Sequence, residues 1–133
     1  MSKPLHGTET EKNLLKAFAG ESQAYQRYLM FAKQARKEEF HYLAEIFEDN
    51  AMMEQKHARR FFNFLEGHEV EITATFPAGK VFTTIENVRN SIAGETDELE
   101  NAYPQFAKTA ASEGFPAIAK CFELIAVIEG QHA

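Results

Sequence analysis

Apolar residues return at alternating steps of four and three through most of the chain, the spacing that lays one stripe along a helix. Leu14, Phe18, Glu21, Tyr25, Tyr28, Ala32 and Ala35 form the first stripe, and Thr8 with Glu11 supplies a capping box ahead of it. Phe40, Ala44, Phe47, Ala51, Glu54, Ala58, Phe61 and Leu65 form the second, which Gly67 ends. The stretch "GHEVEITATFPAGKVFT" at 67–83 holds Pro, Gly and β-branched residues without a helical period, and it predicts a long crossover. A second capping box, Thr83 with Glu86, opens a third helix through Val88, Ile92 and Glu95. Gly114 breaks it, and Pro116 suits the first turn of a fourth helix, whose stripe is Phe115, Ala119, Phe122, Ala126, Glu129 and Ala133. The predicted helices run roughly over 9–37, 39–66, 84–113 and 115–132 of a single domain, 1–133.

Two helical hairpins joined by one long connection predict an all-α fold, the ferritin-like form of the antiparallel four-helix bundle. Four positions break its apolar stripes: Glu21, Glu54, Glu95 and Glu129. One such carboxylate reads as a solvated or salt-bridged residue. Four in a small core cost on the order of several kcal/mol each unless something neutralises them. No Lys or Arg falls on the stripes, so bound cations are the expected partners.

The chain also repeats itself. A shift of 75 positions carries residues 31–58 onto 106–133, and thirteen residues then meet their own kind, from Phe31 on Phe106 to Ala58 on Ala133. "EQKH" at 54–57 thereby meets "EGQH" at 129–132. The E-x-x-H spacing puts a carboxylate and an imidazole on one helix face, a turn apart, where both reach one metal centre. Glu38 with His41 has the same spacing but meets Glu113 with Pro116, so it reads as a solvated pair at a helix junction. "GES" at 20–22 and "GET" at 94–96 are related by 74 instead, while Tyr28 and Tyr103 are back at 75. One residue is therefore inserted in the third helix between Glu95 and Tyr103, which predicts a π-bulge. Pro104 needs the same loosening, and Glu98 lies in that stretch without a counterpart in the first half.

The segments "NLLKAFAGESQAYQRY", "MMEQKHARRFFNFLEG", "FPAG", "AGETDELENAYPQFAK" and "IAVIEGQHA" resemble the ferritin-like domain of rubrerythrins. That resemblance implies a pair of irons held by Glu21, Glu54, Glu95, Glu98, Glu129, His57 and His132. It makes Glu54 and Glu129 the bridges and lets His57 and Glu98 exchange on one iron with redox state. Tyr28 and Tyr103 match tyrosines that hydrogen-bond ligand carboxylates; otherwise they are aromatic core. The activity implied is reduction of hydrogen peroxide to water by a non-haem di-iron peroxidase in oxidative-stress defence. Charge counting agrees: Glu21, Glu54, Glu95 and Glu129 balance two Fe²⁺, and oxidation adds two positive charges that an anionic Glu98 partly offsets. Typical members continue into more helix and a four-cysteine rubredoxin domain, neither of which follows here. The expectation is therefore either an external donor, a rubredoxin or a reductase, or a chain that is part of a longer one. The second half stops at Ala133 where the first continues with "ARRFFNFLEG". This predicts an open bundle end opposite Phe61 and Leu65, covered in a homodimer, and helix exchange between chains suits such an architecture.

Bulk properties narrow the alternatives. A net charge of −6 argues against general nucleic-acid binding. No apolar run is long enough to predict a membrane span, and the start "MSKPLHGTETEK" has no apolar core like that of a secretory signal. The single cysteine, Cys121, excludes an internal disulfide and reads as a buried thiol. A cytoplasmic location follows as the expectation. Met52 and Met53 read as packing beside Glu54. A ferroxidase or iron-handling protein, or a manganese or mixed-metal centre with catalase activity, uses the same ligands and stands as the alternative reading.

Overall fold

The computed structural model describes residues 4–132, with side chains described as far as Gly130. Helices α1 (Glu9–Lys37) and α2 (His41–Phe62) form the first hairpin. In the second, α3 (Thr84–Asp97), a π-helical turn (Glu98–Ala102) and α4 (Tyr103–Ser112) run on as one rod, and α5 (Pro116–His132) returns along it. Residues 63–83 cross between the hairpins without regular structure, and no strand occurs among the described residues. The fold is the ferritin-like, all-α bundle that the periodicity predicts. Its π-turn falls where the repeat gains a residue.

The two hairpin turns are built alike. Phe40 N donates to Ala35 O and Phe115 N to Ala110 O, both at 2.8 Å, while Glu39 N and Gly114 N reach Arg36 O and Ala111 O. This is the Schellman pattern, which needs a left-handed residue just past the helix. Gly114 adopts it at φ 90°, but in the first turn the position belongs to Glu39 at φ 67°.

Each hairpin turn also caps the other hairpin. The Glu38 carboxylate accepts from Thr84 N at 2.8 Å and Thr84 Oγ1 at 2.6 Å, at the start of α3. Its repeat counterpart Glu113 accepts from Thr10 N at 2.7 Å and Glu9 N at 3.2 Å, at the start of α1. The solvated-pair reading of Glu38 with His41 is therefore corrected: His41 is exposed, but Glu38 satisfies a backbone donor that a helix start otherwise leaves unpaired. The Thr8 and Thr83 caps are in place as well, with Thr8 Oγ1 accepting from Glu11 N at 3.1 Å and Thr83 Oγ1 from Glu86 N at 3.4 Å.

Two apolar clusters flank the carboxylates. Leu14, Phe61, Tyr103, Phe122 and Ile125 anchor one; Tyr28, Phe31, Phe47 and Ala51 anchor the other. Each fully buried phenylalanine contributes about 1.5–3 kcal/mol. The expected opening beside Phe61 and Leu65 is not there. Phe61 is fully buried, its ring 5.2 Å from Phe122 and 5.8 Å from Tyr103, and Leu65 packs against the same cluster. Antiparallel pairing sets the end of α2 beside the start of α5, so α2 finds its apolar partners there. Exposed apolar side chains lie instead at Tyr42 and Ile46 on α2 and at Ile85 and Ile92 on α3.

Candidate metal centre

One ligand atom from each of Glu21, Glu54, His57 and Glu129 lies within 4.8 Å of the others, and all four residues are buried. Helix periodicity puts them there: Glu21, Glu54 and Glu129 continue the apolar stripes of α1, α2 and α5, and His57 lies three residues past Glu54 on the same face. His57 Nδ1 stands 3.5 Å from Glu129 Oε1 and 3.6 Å from Glu21 Oε2. Glu95, also buried, accepts a hydrogen bond from Tyr28 at 3.1 Å, and Glu21 Oε1 accepts one from Tyr103 at 2.6 Å. Each tyrosine serves the carboxylate of the opposite hairpin.

Several oxygens and nitrogens have no such partner. Glu21 Oε2, Glu54 Oε1, both Glu129 oxygens and both His57 ring nitrogens are buried without a hydrogen bond among the described residues. Buried polar groups are nearly always satisfied, and so many orphans converging on one point suit a bound cation. Burial lifts the Glu21 and Glu95 carboxyls above their ordinary range. Glu98 and Glu129 are pushed up too, first by burial and, for Glu98, next by the neighbouring Glu129 charge. Burial alone lowers His57, but Glu129 and Glu21 outweigh it and raise it to about 9. In the metal-free chain burial thus disfavours the charged form of these carboxyls, and the His57 imidazole is the nearest counter-charge. Divalent cations reverse these preferences by holding carboxylates ionised and imidazole neutral.

Glu98, on the π-turn, is half-buried beside Glu129 and lines a cavity. The His132 reading falls on a side chain outside the described residues, although α5 extends to that position. Cys121 is buried, and burial raises its thiol, as a core cysteine requires. Met52, read as packing, is 42% exposed because it projects from the far side of α2. Periodicity missed the capping role of Glu38 and Glu113; their identity across the repeat was the available signal.

Comparison with known proteins places this arrangement. The family profile described as rubrerythrin matches residues 12–133. The chain is 52% identical over 132 residues to a rubrerythrin of Porphyromonas gingivalis, covering 99% of this chain and 66% of that one. It is 49% identical over 130 residues to a rubrerythrin of Nitratidesulfovibrio vulgaris, covering 98% and 68%. A solved structure described as the fully reduced, all-ferrous state of nigerythrin superposes with a TM-score of 0.83 at 30% identity, over 99% of this chain and 65% of that one. The chain therefore spans about two thirds of the length of the relatives it matches. No helix among the described residues is long and apolar enough to cross a membrane.

Proposed function

The chain belongs to the rubrerythrin family, and on that premise we propose that it is a non-haem di-iron peroxidase. It reduces hydrogen peroxide to water with electrons from an external donor, a rubredoxin or a reductase, and works as a homodimer. Glu21, Glu54, Glu95, Glu98, Glu129, His57 and His132 would hold two irons. Held there as a ferrous pair, they would supply the two electrons that O–O cleavage needs.

The chain's own groups prepare that chemistry. Tyr103 occupies Glu21 Oε1 and leaves Oε2 directed at the cluster, so one oxygen is fixed and the other is offered. Tyr28 likewise donates to one oxygen of Glu95. Their phenols are pushed well up, first by burial and next by those carboxylates, so both remain donors throughout. Apolar clusters pack on either side of the buried carboxylates, and their low polarity strengthens charge interactions between them. The observation that carries the reading is Glu98: a carboxylate beyond the four, on the inserted turn, beside Glu129 and on a cavity wall. A site that cycles between two charges has a use for an anion held in reserve, and exchange of His57 for Glu98 would supply it.

The test is metal content followed by anaerobic titration of the reduced protein with peroxide. About two irons per chain, oxidised by about one equivalent of peroxide with little oxygen release, is the expected result. Oxygen evolution without a reductant would establish the catalase alternative, and assembly into a hollow cage would establish storage.

A further inference from the structure

A cavity of about 890 Å³ lies between α1, the α3 rod and crossover residues 73–82. Glu98 and Tyr103 form part of its wall, and Phe31, Phe82 and Phe106 make much of the remainder apolar. Hydrogen peroxide is little larger than water, which takes up about 30 Å³. A space this size matches the roughly 300–1,000 Å³ pockets that hold organic ligands.

Two related glycines show how the space is kept. Gly20 precedes Glu21 and Gly94 precedes Glu95, and both line the cavity. A Cβ on Gly20 would stand 3.0 Å from the Phe76 ring, so that glycine is the seat of the crossover. Gln23 holds the next residue through the Pro77 carbonyl, and Arg27 Nε in turn donates to Gln23 at 2.8 Å. At Gly94, by contrast, a Cβ would meet nothing within 4 Å. Glycine weakens a helix interior relative to alanine, and no protein atom requires it there. What its bareness leaves open is the cavity, one residue from Glu95.

We propose that this cavity seats the organic arm of an alkyl or aryl hydroperoxide, with the O–O group turned toward Glu98. The inference rests on the peroxidase reading and widens its substrate class. In the reaction the O–O bond breaks, the carbon-bound oxygen leaves as an alcohol and the outer oxygen as water. Two protons come from solvent, and two electrons come through the metal pair from an external low-potential reductant.

The experiment uses the iron-loaded protein. Calorimetric titration with 2-phenyl-2-propanol, the alcohol product of cumene hydroperoxide, should give saturable binding. Gly94→Leu, which extends a side chain into the cavity, should weaken it by about tenfold or more. The ratio of kcat/KM for cumene hydroperoxide to that for hydrogen peroxide should fall by a similar factor. Gly94→Ala, which improves the helix and intrudes less, should give a smaller loss in both readouts. Saturable binding untouched by Gly94→Leu, or none in the parent with hydrogen peroxide still reduced, overturns the inference alone. Failure to reduce either peroxide overturns the peroxidase reading with it.

Discussion

Tyr103 reaches Glu21 at 2.6 Å, and its counterpart Tyr28 reaches Glu95 at 3.1 Å. The two hairpins make the same contact, but not equally. The first hairpin is regular through its carboxylate: Glu21 is fully buried, α1 is unbroken, and the crossover seals Gly20. The second has a π-turn just past Glu95, an additional carboxylate, and open space at Gly94. The regular half fixes its buried carboxylate on an unbroken helix. The inserted residue gives the other half a π-turn whose Glu98 lines the cavity, the side on which the proposed chemistry would meet its substrate. A repeat supplies the charge-dense frame, and a single departure from it supplies the additional carboxylate on which the proposed reactivity rests.

The largest effect tests what the halves share. Glu54→Leu with Glu129→Leu should abolish iron binding, measured as metal per chain, and should stabilise the metal-free chain by about 1–4 kcal/mol. Iron retained at the parental level would break the shared-site account. Next comes the unequal tyrosine pair. Tyr103→Phe should slow peroxide reduction by about 10–100-fold and Tyr28→Phe by less, since outer contacts of ligands are worth about that much; equal losses would erase the distinction between the hairpins.

The third test concerns the caps. Hydrogen bonds from Thr84 and then Gln34 hold the Glu38 carboxyl below its ordinary value of 4.5. A depressed value in the folded state means that the contribution is present above the unfolded value and fades as pH falls through the folded one. The Tm gap between the parent and Glu38→Gln should therefore be open at neutral pH and close in acid, and a gap that widens on acidification would contradict it. The smallest effect is at the turns. Glu39→Gly should raise stability by about 0.5–1 kcal/mol, because the native residue is in the left-handed region, and Gly114→Ala should lower it by about 1 kcal/mol. Urea melts of the two variants measure the opposite signs.

Much of this was legible in the sequence because helix period and repeat are both local. Carboxylates at stripe positions must point inward, and an inserted residue between Glu95 and Tyr103 must be absorbed somewhere, so the fold and π-turn followed. What the spacing could not carry was anything between hairpins. Glu38 looks like one charge in a polar turn until Thr84, far along the chain, is known to face it. The supposed opening beside Phe61 failed for the same reason: the stripe shows which face is buried, not which helix end arrives to bury it. The cavity was illegible too, since a helical glycine looks alike whether a ring or nothing lies above it.

The reciprocal caps have a consequence for how the molecule is put together. Glu38 serves Thr84 while Glu113 serves Thr10, and Tyr28 serves Glu95 while Tyr103 serves Glu21. Contacts in which each partner does for the other what is done for it define an isologous interface between two copies. In symmetry terms the chain is a tethered dimer of hairpins, with the buried Glu and His cluster drawn from both. The tether has to pass on one side of the pair, where Phe76 covers Gly20 and leaves Gly94 bare.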